Sequence, residues 1–130
     1  MREVSRDRGM VTAFAVSIVL TLFIASGLAI DSGRLVAARI QVADHAENAA
    51  RLAAQELIGI RAGSPAIDQE KGRRVALDYL ADHGVTGEVS FGRRSVAVSV
   101  HTTREMTILK LAGIQSKRVS ATRTAEVADA

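Results

Sequence analysis

The residues of this chain best suited to metal or proton chemistry are its three histidines, His45, His83 and His101. A histidine metal site needs paired ligands at helical spacing or an H-E-x-x-H run. These three fall instead on a helix face, a helix end and a strand, so each reads as a polar surface residue. The serines lack the G-x-S-x-G setting of a nucleophile elbow. No glycine-rich phosphate loop follows a strand. Asp68, Glu70 and Asp78 read as helix-surface acids, and Asp68 and Glu70 also suit a helix N-terminus. Cysteine is absent, which removes thiolate catalysis, disulfides and thiolate zinc sites. The expectation is a protein with no catalytic, cofactor-binding or metal residues, hence no enzyme and no small-molecule substrate.

Composition narrows the partners. Aromatics make up 3% of the chain (Phe14, Phe23, Phe91 and Tyr79), and two of the four lie in one apolar run. No platform exists on which bases would stack. The net charge is +3, and the cations alternate with acids along the helical parts as on a solvated face. No nucleic-acid partner is expected.

The elements that position these residues begin with the apolar run. Met10 to Ile30 contains no charge, and eleven of its residues are Val, Leu, Ile or Phe. As a helix it is about 31 Å long, matching a hydrocarbon core of about 30 Å. Thr12, Ser17, Thr21 and Ser26 weaken insertion only modestly, because hydroxyls bond back to the preceding turn. Arg2, Arg6 and Arg8 precede the run, while Arg34 and Arg39 follow it. The positive-inside bias then places the N-terminus in the cytoplasm and the rest outside the cytoplasmic membrane, on a single pass. A cleaved secretory signal is the alternative, with Gly27-Leu28-Ala29 as its small-residue cut site. Ala13, Ser17, Thr21, Ala25, Ala29, Gly33 and Ala37 form a row at spacing four, a ridge on which a second helix would pack closely. A row produced by alanine-rich composition alone is the competing reading.

Beyond the run, Leu35, Ala38, Val42, Ala46, Ala49, Ala53 and Leu57 recur at spacings of three and four. This predicts one long helix from about Val11 to Leu57, passing through Gly33. A loop is predicted over 59–66 and a second helix from about Ile67 to His83, burying Val75, Ala76, Tyr79 and Leu80. The period then changes to two. Val85, Gly87, Val89 and Phe91 alternate with polar residues, as do Val96, Val98, Val100 and Thr102, and the turn at Gly92-Arg93-Arg94 between them makes a hairpin. Thr107 to Gly113 reads as a short apolar helix or turn, and Val119, Ala121, Ala125 and Val127 as a third strand. The fold class is α+β: a long N-terminal helix, half transmembrane and half amphipathic extension, a second helix and a small three-stranded antiparallel sheet. The domains would be a basic cytoplasmic leader at 1–9, a span at 10–30 and an extracytoplasmic domain at 31–130.

Several of these residues resemble a known family. Arg8-Gly9 before the apolar run, Asp31-x-Gly33-Arg34-Leu35-x-Ala37-Ala38-Arg39 after it, and the alanine-rich helix Ala43–Ala54 are similar to the N-terminal region of TadE/TadG-like pilus assembly proteins. Those proteins belong to tight-adherence (Flp) secretion systems of bacteria. The Val96-x-Val98-x-Val100 strand and the final Ser120–Ala125 strand also look like that family. The resemblance implies a type IV pilin-like minor component in the cytoplasmic membrane, with other pilin-like or pilus assembly proteins as partners. It also implies a leader cut by a prepilin-type peptidase after Gly9, leaving Met10 as the new N-terminus. The sequence departs from the pilin pattern at the fifth mature position, where Phe14 stands in place of the usual Glu. A membrane-tethered or secreted extracytoplasmic binding module unrelated to pili is the alternative function.

Overall fold

The computed structural model describes residues 4–59, 61, 63 and 65–127. The first three residues of the expected leader, Arg2 among them, lie outside the described residues. The elements follow in the order α1 (Val4–Gln55), β1 (Leu57–Ile58), β2 (Ala66–Ile67), α2 (Gln69–Asp82), β3 (Thr86–Phe91), β4 (Ser95–Glu105), a 3-10 turn (Leu109–Ala112) and β5 (Ser116–Glu126). The chain divides into two compact units. One comprises 1–34 with 105–116, the other 35–104 with 117–130.

In the second unit the core forms where the amphipathic stripe of α1 meets α2 and the sheet. Ala38, Val42, Ala46, Ala49, Ala50 and Ala53 are buried with Ala76 and Leu80 of α2 and with Val89, Val96, Val98 and Val100. Leu80, Val42 and the three β4 valines are the bulkiest apolar side chains to be fully enclosed. So many alanines permit close helix approach. A Cβ added to Gly72 of α2 would lie 2.9 Å from the carbonyl oxygen of Ala53 and 3.3 Å from the Phe91 ring. Gly72 therefore marks the contact where α2 presses on α1. Arg73 adds a tie to the sheet, donating to the carbonyl of Val89 at 2.9 Å with its guanidinium over the ring of Phe91.

The three-stranded sheet has the order β3-β4-β5, with β3 and β4 antiparallel and Val89 opposite Val98. Period-two burial along β4 is complete from Val96 to Val100, as alternation requires of a sheet covered on one face. On β5 only Val119 is buried, while Ala121 and Ala125 are half-buried and Arg123 is exposed. The expected α+β architecture is what the chain adopts.

Three boundaries depart from the sequence reading. Helix α1 starts at Val4, before the apolar run, and ends at Gln55 rather than Leu57. The segment read as a loop is pinned by a two-stranded ladder, Leu57 opposite Ile67 and Ile58 opposite Ala66. Ile67 thus belongs to a strand, and Asp68 is the N-cap of α2, accepting from the amide of Lys71 at 3.0 Å. Such short strands carry too few residues to show a period, and a capping aspartate sets the helix start more firmly than the apolar pattern does. The ion pair of Lys71 with Glu56, at 2.6 Å, closes the same corner, and the Glu56 carboxylate raises the Lys71 pKa.

Candidate functional site: an apolar helix face and the turn held against it

Among the described residues, one helix is long and apolar enough to cross a membrane. Its apolar side chains from Met10 to Ile30 point outward, with Phe14, Phe23, Leu22, Ile24 and Ile30 all largely exposed. The Ser17 and Thr21 hydroxyls of the run bond back to the preceding turn as expected. Ser17 donates to the carbonyl of Ala13 and Thr21 to that of Ser17, each at 2.8 Å. The row Ala13, Ser17, Thr21, Ala25, Ala29, Gly33 and Ala37 is exposed along its whole length, and nothing lies within 4 Å of a Cβ placed on Gly33. Gly9 and Met10 are exposed too, and the bond between them is helical.

At the C-terminal end of the run stands a construction that the sequence does not predict. Asp31 is a carboxylate only 1% exposed. Its Oδ1 accepts from the amide of Thr107 at 3.2 Å, and its Oδ2 accepts from Ile108 at 2.8 Å and Leu109 at 2.9 Å. Ile108, the N-cap residue of the 3-10 turn, has no capping side chain of its own. The aspartate on α1 supplies that cap from more than seventy residues away, satisfying amides that a helix start leaves orphaned. Arg34 donates to the hydroxyl of Thr107. Gly27 supplies the space: a Cβ there would come within 2.5–2.9 Å of three atoms of the Ile108 side chain. The amide bond from Leu109, foremost, holds the Asp31 pKa below the ordinary carboxylate value. Burial opposes it, and the Ile108 and Thr107 amides and the Arg34 cation reinforce it.

Gly27, Asp31 and Arg34 are spaced four and three apart, so they share one face of α1. That spacing is the available signal. It is hidden because Gly27 also fits a cleavage-site pattern and Asp31 is simply the first charge after the apolar run.

The histidines end up closer than their spacing implied. His45 of α1 lies 5.0 Å from His83, ring to ring, and Tyr79 lies 4.2 Å from His83. The Tyr79 hydroxyl is 3.3 Å from His45 Nδ1 and receives a bond from Asn48 at 3.2 Å. His45 and His83 border an open cavity of about 360 Å³, with Gln41, Thr102 and Arg104 on its wall. No carboxylate joins them, and among the described residues no group of three or more His, Cys, Asp or Glu is arranged for a metal. His101 stands apart on β4, its Nε2 3.1 Å from the hydroxyl of Thr86. The cluster packs α1 on α2.

No protein-family model matches this chain, and neither does any curated protein or solved structure.

Proposed function

We propose that the protein is a membrane-anchored minor pilin or assembly component of a tight-adherence, type IV-like pilus or secretion system. It spans the cytoplasmic membrane once through Met10–Ile30, with its N-terminus in the cytoplasm and its α+β portion outside. The family resemblance of residues 8–54 and the asymmetry of the flanking arginines support this reading. The observation that carries retention of the span is the engagement of Gly27 and Asp31 with residues 107–109. A signal peptidase cutting after Ala29 would strip Gly27 from beneath Ile108 and leave the turn half-supported. A tether that the folded chain itself grips is suited to remain.

In this function the lipid-facing run anchors, and the small-residue ridge receives a helix from a pilus partner. A prepilin-type peptidase trims the leader after Gly9. Two measurements on the bacterium's own membranes test the proposal. The chain has no cysteine, so Arg93→Cys, at the exposed β3–β4 turn, is a unique thiol. It should react with a membrane-impermeant maleimide in spheroplasts without lysis. The mature mass should begin at Met10, and the protein should crosslink to co-expressed pilus components. Labelling only after lysis, or a mature chain beginning at Ile30, would sink the anchored topology. Crosslinking to no pilus component would leave an anchor without the pilus role.

A further inference from the structure

We infer that the segment Met106–Gln115 is a lipid-contacting turn that dips into the bilayer interface beside the outer end of the span. The inference rests on the proposed membrane span and adds a second, independent point of contact with lipid. Three observations carry it, all within the unit formed by 1–34 and 105–116.

The first is depth. Ile108 packs on Gly27, which lies three residues inside the last residue of the uncharged run. At 1.5 Å per residue this is about 4.5 Å, so the turn sits level with the edge of the hydrocarbon and not above it.

The second is what the turn displays. Leu111 is 87% exposed and Ile114 48% exposed, and at the same end of the span Leu28 is 48% and Ile30 54% exposed. In water this patch is a liability, whereas at a bilayer edge it continues the apolar surface of the span. Lys110 is exposed between Leu109 and Leu111. A lysine at this position keeps its stem in the apolar layer and its ammonium among lipid phosphates.

The third is the backbone. Lipid offers no partners for amides, so a chain segment entering it must satisfy its own. Asp31 takes the amides of Thr107, Ile108 and Leu109. Met106 donates to Gln115, Leu111 to Ile108, Gly113 to Lys110 and Ile114 to Leu109. This is why a full carboxylate is enclosed at the end of a hydrophobic run. Its charge is spent on three amides that would otherwise face the interface unpaired. Gly113, at φ +88°, lets the chain close the last of these bonds.

Lipid is favoured over a protein partner because the patch continues the span at the same level and carries its own internally bonded backbone. The chain has no tryptophan, so single substitutions report cleanly. Full-length Leu111→Trp would be reconstituted in vesicles of phosphatidylcholine and phosphatidylglycerol containing lipids brominated at shallow or deep chain positions. Phe23→Trp in the span and Arg93→Trp on the β3–β4 turn serve as references. Leu111 is so exposed that the larger ring has room, and Ile114→Trp repeats the reading from a second site.

The expected result is several-fold stronger quenching of Leu111→Trp than of Arg93→Trp, greater with shallow than deep bromines, together with shielding from acrylamide. If Leu111→Trp and Ile114→Trp are unquenched and open to acrylamide while Phe23→Trp is quenched, the span stands and the inference fails. Shielding from acrylamide without bromine quenching would assign the patch to a protein partner and also overturn it. An unquenched Phe23→Trp would overturn the span and the inference together.

Discussion

Replacing Gly27 with alanine separates two effects that usually travel together. In a helix the exchange favours folding by about 1 kcal/mol, since glycine loses more backbone freedom than alanine. Here the new methyl would sit 2.5 Å from Cγ2, 2.6 Å from Cγ1 and 2.9 Å from Cβ of Ile108. Ordinary carbon contacts lie at about 3.5–4.0 Å, so the turn must shift by roughly an ångström. Rotating the Ile108 side chain relieves only the γ atoms, because its Cβ is fixed to the backbone that Asp31 holds. Overpacking of this kind costs about 1–3 kcal/mol, which raises the fraction of undocked turn about 5–150-fold. The measurement is amide hydrogen exchange, by mass spectrometry in detergent micelles, of a peptide spanning 105–116. Gly27→Ala should speed exchange there and slow or preserve it along α1. Ile108→Ala should then cancel part of the effect, since Cγ1 and Cγ2 are gone while the Cβ contact at 2.9 Å remains. Equal exchange in wild type and Gly27→Ala would refute the reasoning, and so would failure of the double variant to recover.

The depressed Asp31 pKa makes the docked turn acid-sensitive with a defined sign. Its contribution is fully present above the ordinary aspartate value of about 3.9 and is lost as pH falls through the lower folded value. Exchange across 105–116 should therefore stay slow from neutrality to about pH 4, after correction for intrinsic rates, and rise below it. Asp31→Asn should remove that step, and a step that persists in the variant would assign it to another group. At the other glycine contact, Gly72→Ala drives a methyl to 2.9 Å from the Ala53 carbonyl oxygen, which cannot swing away. The variant should unfold more readily by about 1–3 kcal/mol despite better helix propensity, as read from the midpoint of thermal unfolding. An unchanged or raised midpoint would show that α2 is free to shift.

Legibility followed the number of residues behind each signal. Seven positions at helical spacing and eight at period two leave little choice, which is why the stripe from Ala38 to Ala53 and the β3–β4 hairpin emerge in their expected places. The ladder between β1 and β2 rests on two residues each, fewer than any period can reveal. The capping of 107–109 by Asp31 was invisible for a different reason. Long-range capping has no local spacing, since the aspartate and its amides are separated by more than seventy residues. What the sequence did contain was the glycine, aspartate and arginine on one face of α1. A buried carboxylate ending an apolar run is costly unless bonded, so Asp31 at the edge of a span was itself a reason to look for amides.

The two surfaces at this end of α1 point in different directions, which yields a further testable consequence. Each residue advances about 100° around the helix, so Ala25 and Ala29, two positions either side of Gly27, face about 160° away from it. The turn therefore covers one side of the helix and leaves the small-residue ridge open on the other. Lipid gives helices no hydrophobic reason to associate, and close backbone approach must supply the attraction. Ala29→Leu keeps the run apolar and adds bulk only on the open side. It should reduce crosslinking to itself or to pilus components at equal membrane levels, while exchange across 105–116 stays at the wild-type rate. Gly27→Ala should do the reverse, loosening the turn while crosslinking persists. Residues this near in sequence would ordinarily couple, so independence of the two readouts is a demanding expectation. If Ala29→Leu loosens the turn, the faces communicate through α1. If it leaves crosslinking undiminished, the ridge is an accident of an alanine-rich composition and partners engage the chain elsewhere.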